Sequence, residues 1–320
     1  MEVVASDDPM IDAELLREGL GPDATVTVAE TGSEDAAREA AADADALVTD
    51  VSTPVTADVL DGCPNLRIVA RAGVGIDTID VSAAAERDVV VTNVPEYCTE
   101  EVATHTVALL LACLRSLGRY DRDAKAGGWD WRAGREIHRL SGLTLGFVSY
   151  GPIARRVGEL VEGFGVDPVA YDPYVDDEEM AADGVEKVGF EALLDRAELV
   201  SVNAPLTEET RDMVDAAAFE RLADHAVVVN TGRGGVVDEA ALVDALAAGE
   251  VAAAGLDVFA DEPPEDSPLF DRDDAIVTPH AAWYSEEARA DLHETVATNV
   301  RAALTGETPP DRIDPELDWV

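Results

Sequence analysis

The chain has 320 residues, with 23 Lys and Arg against 67 Asp and Glu and a formal net charge of −44. At 47% hydrophobic residues it is too apolar for a disordered polyanion and long enough to bury two cores, so two folded domains are expected. Only Lys125 and Lys187 are lysines and no basic stripe exists to follow a nucleic-acid backbone, while no run approaches the roughly 18 apolar residues of a membrane span. In chain order, short β-branched runs alternate with helical patterns: VTVA at 26–29, ALVTD at 46–50, RIVARAG at 67–73 and VVVTNVP at 89–95. Each is followed by a turn and an amphipathic stretch, the pattern of βα units in a parallel sheet. A long helix is expected from about Glu100 to Leu117. Six near-continuous apolar strands follow, opening near 143, 167, 199, 226, 253 and 275, as in a doubly wound sheet covered on both faces. A closing helix is expected from about Ser285 to Leu304.

The acids are dispersed, in SDDP, DADAD, VDDEEM, ADEPPED and DRDD, and outnumber the cations about threefold, so ion pairs neutralise only a minority of them. In molar salt the Debye length falls to about 3 Å and the self-repulsion fades. A halophilic protein is therefore expected. Cys63, Cys98 and Cys113 lack CxxC or Cys/His spacing, so neither a disulfide framework nor a metal site is expected. The opening MEVVASDDPM has no basic or apolar leader region, which points to the cytoplasm.

The strand TLGFV passes into PIARRVGELV through Ser149, Tyr150, Gly151, Pro152, Ile153 and Ala154. That is the place of a GxGxxG dinucleotide fingerprint, in which backbone N–H groups at a helix N-terminus meet a pyrophosphate. Ser149 replaces the first glycine, in a turn that favours glycine, and Ala154 replaces the third, where close helix–strand packing accepts alanine. Asp172 ends the next strand, 21 residues beyond Gly151, at the interval where a carboxylate takes the ribose diol. A carboxylate there repels a 2′-phosphate, so NAD is expected over NADP.

Reduction of a 2-oxo acid needs a cation for the carboxylate, an acid for the carbonyl oxygen and a group that keeps that acid protonated. Three strand-end loops supply one each: Arg233 in NTGRGGVVDE, Glu262 in DEPP and His280 after AIVTP. In a doubly wound fold such loops gather at the carboxyl ends of the strands, where ligands bind. Of the other histidines, His105 falls on an apolar helix face and reads as a core or hinge residue. His138, His225 and His293 read as surface groups.

Residues 71–290 resemble the D-isomer-specific 2-hydroxyacid dehydrogenase family in RAGVGIDTID, VTNVPEYCTEEVATHTVALLL, TLGFVSYGPIA, YDPY, NAPLTEETRDMV, VVNTGRGGVVDEAAL, GLDVFADEPP and TPHAAWYSEEA. PEYCTEEVA and HAAWYSEEA are most similar to its C-terminal-binding-protein and phosphoglycerate-dehydrogenase-like branch. The resemblance implies an α/β fold of two doubly wound parallel-sheet domains: a Rossmann NAD domain, about 99–286, inserted into a flavodoxin-like substrate domain, 1–98 plus 287–320, with a cleft that closes on the substrate. It implies that Arg233 binds the substrate, His280 exchanges the proton and Glu262 raises the proton affinity of His280. Thr106, Tyr150, Gly151, Pro152, Ile153, Asp172, Asn203, Pro205, Thr231, Gly232 and Asp257 would line the cofactor, with Asp257 facing the nicotinamide. Asn203 stands where many relatives have histidine. Gly73, Val74 and Gly75 would offer backbone N–H groups to the substrate carboxylate, with Arg71 nearby, and Trp283 would wall the pocket. A small anionic 2-oxo or D-2-hydroxy acid as substrate and a homodimer formed through the NAD domain are likewise implied. Two alternatives stay open: an NAD-sensing partner-binding module, and 3-phosphoglycerate oxidation for serine synthesis.

Overall fold

Two all-parallel sheets, each wrapped by helices, organise the computed structural model, which describes residues 1–316. The last four positions of the expected 287–320 segment lie outside the described residues. The chain divides into two compact units, one made of Met1–Tyr97 with the segment from Tyr284 onward, the other of Cys98–Trp283.

The first unit opens with β1 (Glu2–Ser6), α1 (Ala13–Leu20), β2 (Thr25–Ala29), α2 (Glu34–Ala41), β3 (Ala46–Thr49), α3 (Ala57–Asp61), β4 (Ile68–Arg71), α4 (Val81–Ala85) and β5 (Val90–Thr92). Its sheet runs β2-β1-β3-β4-β5, the flavodoxin-like order. Every residue of β3 and β4 is buried, because helices cover both faces and the strands can be apolar throughout. The acid surplus is put to local use: Asp12 and Asp80 cap α1 and α4, their carboxylates accepting first-turn N–H groups at the positive end of the helix dipole.

The second unit contains α5 (Thr99–Leu114), α6 (Leu117–Lys125), β6 (Thr144–Val148), α7 (Pro152–Val161), β7 (Asp167–Tyr171), α8 (Asp177–Ala182), β8 (Glu186–Lys187), α9 (Phe190–Arg196), β9 (Leu199–Val202), α10 (Ala216–Arg221), β10 (Val227–Asn230), α11 (Glu239–Ala248), β11 (Ala253–Leu256) and β12 (Ala275–Val277). Its sheet runs β12-β11-β10-β9-β6-β7-β8, and the strand order reverses between β6 and β9. Alternate side chains feed two cores: Val228 joins Phe219, Leu242 and Leu256 on one face, Val227 and Val229 join Leu109, Phe147 and Val157 on the other. Gly146 lets α9 press against β6, since a Cβ there would stand 2.8 Å from the Leu193 side chain. The closing α12 (Glu286–Thr305), capped by Ser285, returns to the first unit and packs on α1, where Gly19 leaves room for Ala297.

The expected elements differ from the observed ones in three places. The helix expected to Leu117 stops at Leu114, because the apolar face buried against the sheet ends there; Ser116 turns at φ 53° and α6 buries none of its residues. The second unit has a seventh strand, β8, two residues long and without an apolar run. His293 is a buried residue, 3% exposed, and not a surface group. Its Nδ1 donates to the Arg289 carbonyl at 2.6 Å, and its Nε2 accepts the Asp12 N–H at 2.7 Å. Burial pushes its pKa down, outweighing the helix carbonyl and the Asp12 charge.

Candidate active site

The turn between β6 and α7 lies at the carboxyl end of the strand where the sheet order reverses, the ligand crevice of an open α/β sheet. Ser149 takes φ 72° there, a conformation costing an L-residue about 1–2 kcal/mol. Gly151 caps α7, and no heavy atom lies within 4 Å of where its Cβ would stand, so the helix N-terminus is open above it. Pro152 occupies the first helical position and has no N–H, so Ile153 is the first residue of the helix able to donate. Asp172 is 6% exposed; its Oδ2 accepts the Tyr150 N–H at 2.9 Å and the Ser149 hydroxyl at 3.0 Å, and its Oδ1 accepts the Tyr174 N–H at 2.8 Å. The ring of Tyr150 is not brought to this turn: it is buried beside Phe147 in the core beneath, with Arg155 over its face at 4.9 Å. On the other side of the reversal, Asn203 follows β9. Its Oδ1 accepts from Ser201 at 2.8 Å, and its Nδ2 is a buried donor without a partner among the described residues. An open helix N-terminus, a positioned carboxylate and an orphaned amide donor around one crevice fit a dinucleotide.

β10, β11 and β12 are neighbours, with Asn230 opposite Leu256 and Leu256 opposite Val277, so their three exit loops start at one level. Asn230 clamps the first loop: its Oδ1 accepts the Gly232 N–H at 3.0 Å and its Nδ2 donates to the Arg233 carbonyl at 2.9 Å. Gly232 lies against the Val202 and Ala204 carbonyls, where a Cβ would stand 3.2 and 3.1 Å away. A Cβ on Gly234 would stand 1.9 Å from the Phe259 carbonyl carbon, so only glycine lets the second loop cross the first. Thr231 and Thr106 share a hydroxyl contact of 2.7 Å, while the Pro205 carbonyl accepts from Thr210 at 2.6 Å.

Glu262 Oε1 accepts the Phe259 N–H at 2.9 Å, and its Oε2 meets His280 Nδ1 at 2.6 Å. Burial alone would raise the Glu262 pKa; the hydrogen bond and charge of His280, the Phe259 N–H and the Arg233 charge together hold it below the ordinary carboxylate value. An ionised Glu262 fixes the proton on His280 Nδ1 and leaves Nε2 to exchange protons. Asp257, 1% exposed, holds the His280 loop: it accepts from Thr278 Oγ1 at 2.6 Å and from the Ala281 and Ala282 N–H groups at 2.9 Å. His105 joins this network through Thr278 Oγ1 at 3.0 Å. Asn230, Gly234 and the loop-holding bonds of Asp257 are contributions that sequence reasoning missed. The polar residues at the ends of VVVN and GLD were their only signal.

In the first unit the Ala72–Gly75 loop follows β4. Arg71 is 5% exposed and braces this loop from beneath, its Nε donating to the Gly75 carbonyl at 2.8 Å and its Nη1 to the Ala72 carbonyl at 2.7 Å. Gly73 sits at φ 144° over that guanidinium, Asn93 Nδ2 donates to the Val74 carbonyl at 2.7 Å, and Val74 forms the exposed tip. Trp283 is half-buried, three residues beyond His280. Among the described residues no group of three or more His, Cys, Asp or Glu is placed to hold a metal, and Cys63, Cys98 and Cys113 are buried cysteines that form no disulfide.

Residues 107–282, which carry the crevice and the three exit loops, match the family model described as D-isomer specific 2-hydroxyacid dehydrogenase, NAD binding domain. The chain belongs to this family. This 2-hydroxyacid dehydrogenase relative is 42% identical over 294 residues to a Mycobacterium leprae protein named D-3-phosphoglycerate dehydrogenase, covering 92% of this chain and 54% of that one. It is 40% identical over 279 residues to a Korarchaeum cryptofilum protein named glyoxylate reductase, covering 86% and 84%. The chain thus spans about half the length of the phosphoglycerate dehydrogenases it matches. Among solved structures, the D-lactate dehydrogenase of Aquifex aeolicus complexed with NAD and lactic acid is similar with TM-score 0.86 at 27% identity, covering 95% of this chain and 96% of that one. The second unit of this family member is its NAD-binding unit, and among the described residues no helix is long and apolar enough to cross a membrane.

Proposed function

We propose that the chain is a cytoplasmic NAD-dependent oxidoreductase that interconverts a small, unphosphorylated 2-oxo acid and its D-2-hydroxy acid. The observation carrying this reading is the His280–Glu262 pair at 2.6 Å beside the Arg233 charge, on loops from three adjacent strands. Bound NADH is the source of the hydride. His280 Nε2 gives the proton to the carbonyl oxygen as the alkoxide forms, Glu262 stabilises the imidazolium before transfer, and Arg233 holds the carboxylate and polarises the carbonyl. Trp283 is assigned to the substrate's side chain.

The test is NADH oxidation in molar KCl with glyoxylate, pyruvate, hydroxypyruvate and 3-phosphohydroxypyruvate. Turnover of an unphosphorylated acid, lost about 100-fold or more in His280→Ala, is expected. NADH binding without turnover of any acid would replace the enzyme with an NAD-sensing binding module. Turnover confined to the phosphorylated acid would move the chain to serine synthesis.

Arg38, Arg87, Arg122, Arg155, Arg156, Arg196, Arg221 and Arg272 already pair with carboxylates, so much of the −44 charge is left to counter-ions. This supports a halophilic protein, and a melting temperature no lower in dilute buffer than in molar KCl would refute it. A homodimer completes the proposal: Trp129 and Trp131, 94% and 80% exposed between α6 and β6, supply an apolar surface on the NAD-binding unit. Sedimentation equilibrium showing only monomer would remove that assignment.

A further inference from the structure

We propose that Ser149 is a positioning residue for the cofactor: its hydroxyl sets the Asp172 carboxylate for the ribose of NAD, a task no side chain performs where the fingerprint begins with glycine. Three observations converge on it. Ser149 adopts φ 72°, a conformation glycine reaches without strain and serine does not, so the serine stands at this turn against its backbone preference. Its hydroxyl donates to Asp172 Oδ2 at 3.0 Å, and that same oxygen takes the Tyr150 N–H at 2.9 Å. Asp172 is 6% exposed at the strand end beside the fingerprint turn, where its orientation decides which hydroxyls it can accept.

An ionised carboxylate has about four acceptor directions. Tyr150 and Ser149 together occupy Oδ2, while the Tyr174 N–H takes one direction on Oδ1 at 2.8 Å, so the remaining acceptor direction lies on Oδ1. The Ser149 hydroxyl therefore fixes the rotation of the carboxyl group and selects the oxygen that faces the ribose. With glycine in this place the carboxylate keeps only the two backbone donors, which leaves Oδ2 with a single partner and the group freer to turn. NAD gains from the fixed oxygen, whereas a 2′-phosphate meets the same negative charge however the group is turned. Ser149 therefore sharpens the preference for NAD over NADP as well as the affinity for NAD.

The inference rests on NAD occupying the second unit, and a double-mutant cycle separates the two. NADH and NADPH dissociation constants are measured by fluorescence titration in molar KCl for the wild type, Ser149→Gly, Asp172→Asn and the double variant. Ser149→Gly relieves the left-handed turn as it gives up the bond to Asp172, two effects of similar size and opposite sign, and a melting temperature within a few degrees of the wild type keeps weaker binding from being ascribed to a damaged fold. The expected result is a three- to tenfold rise in the NADH dissociation constant, about the net worth of one ordinary hydrogen bond. In the Asp172→Asn background the same change is expected to cost less than about twofold, since the partner it acts through is gone. The NADH-over-NADPH preference narrows in step, and kcat at saturating NADH stays within about twofold. An unchanged NADH dissociation constant in Ser149→Gly, or an equal loss in both backgrounds, would make Ser149 a turn residue only. A wild type that binds no NADH would remove the cofactor assignment itself.

Discussion

Replacing Gly234 with alanine would force two active-site loops apart. The new Cβ would stand 1.9 Å from the Phe259 carbonyl carbon, 2.0 Å from its oxygen and 2.4 Å from the Ala260 nitrogen, all backbone atoms that cannot swing aside. Ordinary contact begins at 3.4 Å, so the Arg233 loop and the loop leading to Glu262 must part. The separation needed is about 1.5 Å, more than the 1 Å misplacement that costs about 100-fold in rate. Overpacking of this kind costs about 1–3 kcal/mol, which for a domain of this size lowers Tm by roughly 2–12 °C. Both quantities are read in molar KCl, Tm by calorimetry and kcat/KM by NADH oxidation. Gly189→Ala is the control, because its Cβ would meet nothing within 4 Å and its φ of −71° suits any residue. If Gly234→Ala kept kcat/KM within twofold of the control with an unchanged Tm, the idea that this crossing sets Arg233 against Glu262 would be wrong.

Glu262→Gln keeps an acceptor for His280 Nδ1 but removes the charge that stabilises its protonated form. Reduction should slow by about 10- to 100-fold, so an unaltered kcat/KM would exclude Glu262 from the proton chemistry. His293 has its pKa pushed down by burial between Asp12 and Arg289, so below pH 6.5 the unfolded chain binds the proton that the folded one refuses. Its stabilising contribution is whole above pH 6.5 and lost as pH falls through the lowered folded value. His293→Gln should therefore melt with a shallower acid dependence than the wild type, and parallel Tm–pH curves for the two would count against it. KM for the anionic 2-oxo acid should fall as KCl rises at constant folded fraction, because screening weakens its repulsion by the −44 charge. A KM that stays flat or rises would confine that charge to solubility.

The parallel strands could be read from the sequence wherever a doubly covered sheet demanded a near-continuous buried run, as in VVVN of β10 or LVSV of β9. β8 escaped because a two-residue edge strand needs no such run, and the break at Ser116 escaped because a left-handed serine leaves no mark in an apolar pattern. Arg233, Glu262 and His280 were legible because each follows a strand that ends in a loop. The parts that orient them were not. Whether Asn230 turns back on its own loop, or Asp257 reaches forward to Ala281 and Ala282, depends on rotamers and on loop crossings that spacing does not encode. The same holds for Tyr150, whose place in the fingerprint put it beside the cofactor while its ring faces the core. His293 was misread for a related reason. A polar residue on a long helix is buried only if another element brings it partners, here the first turn of α1.

The three exit loops also show what this site permits to change. Arg233, Glu262 and His280 are addressed by the hydrogen-bond ladder of β10, β11 and β12, whose strands lie about 4.8 Å apart. Their separation along the chain does not enter. The stretches that travel out and back between them, α11 with its Gly249 turn and the loop before β12, act as cable whose length the site does not register. A one-residue slip in a single ladder has the opposite effect, shifting the start of one exit loop while the other two stay in place. Lengthening these excursions would therefore leave the chemistry standing, and lineages could diversify the rim of this protein without renegotiating its centre.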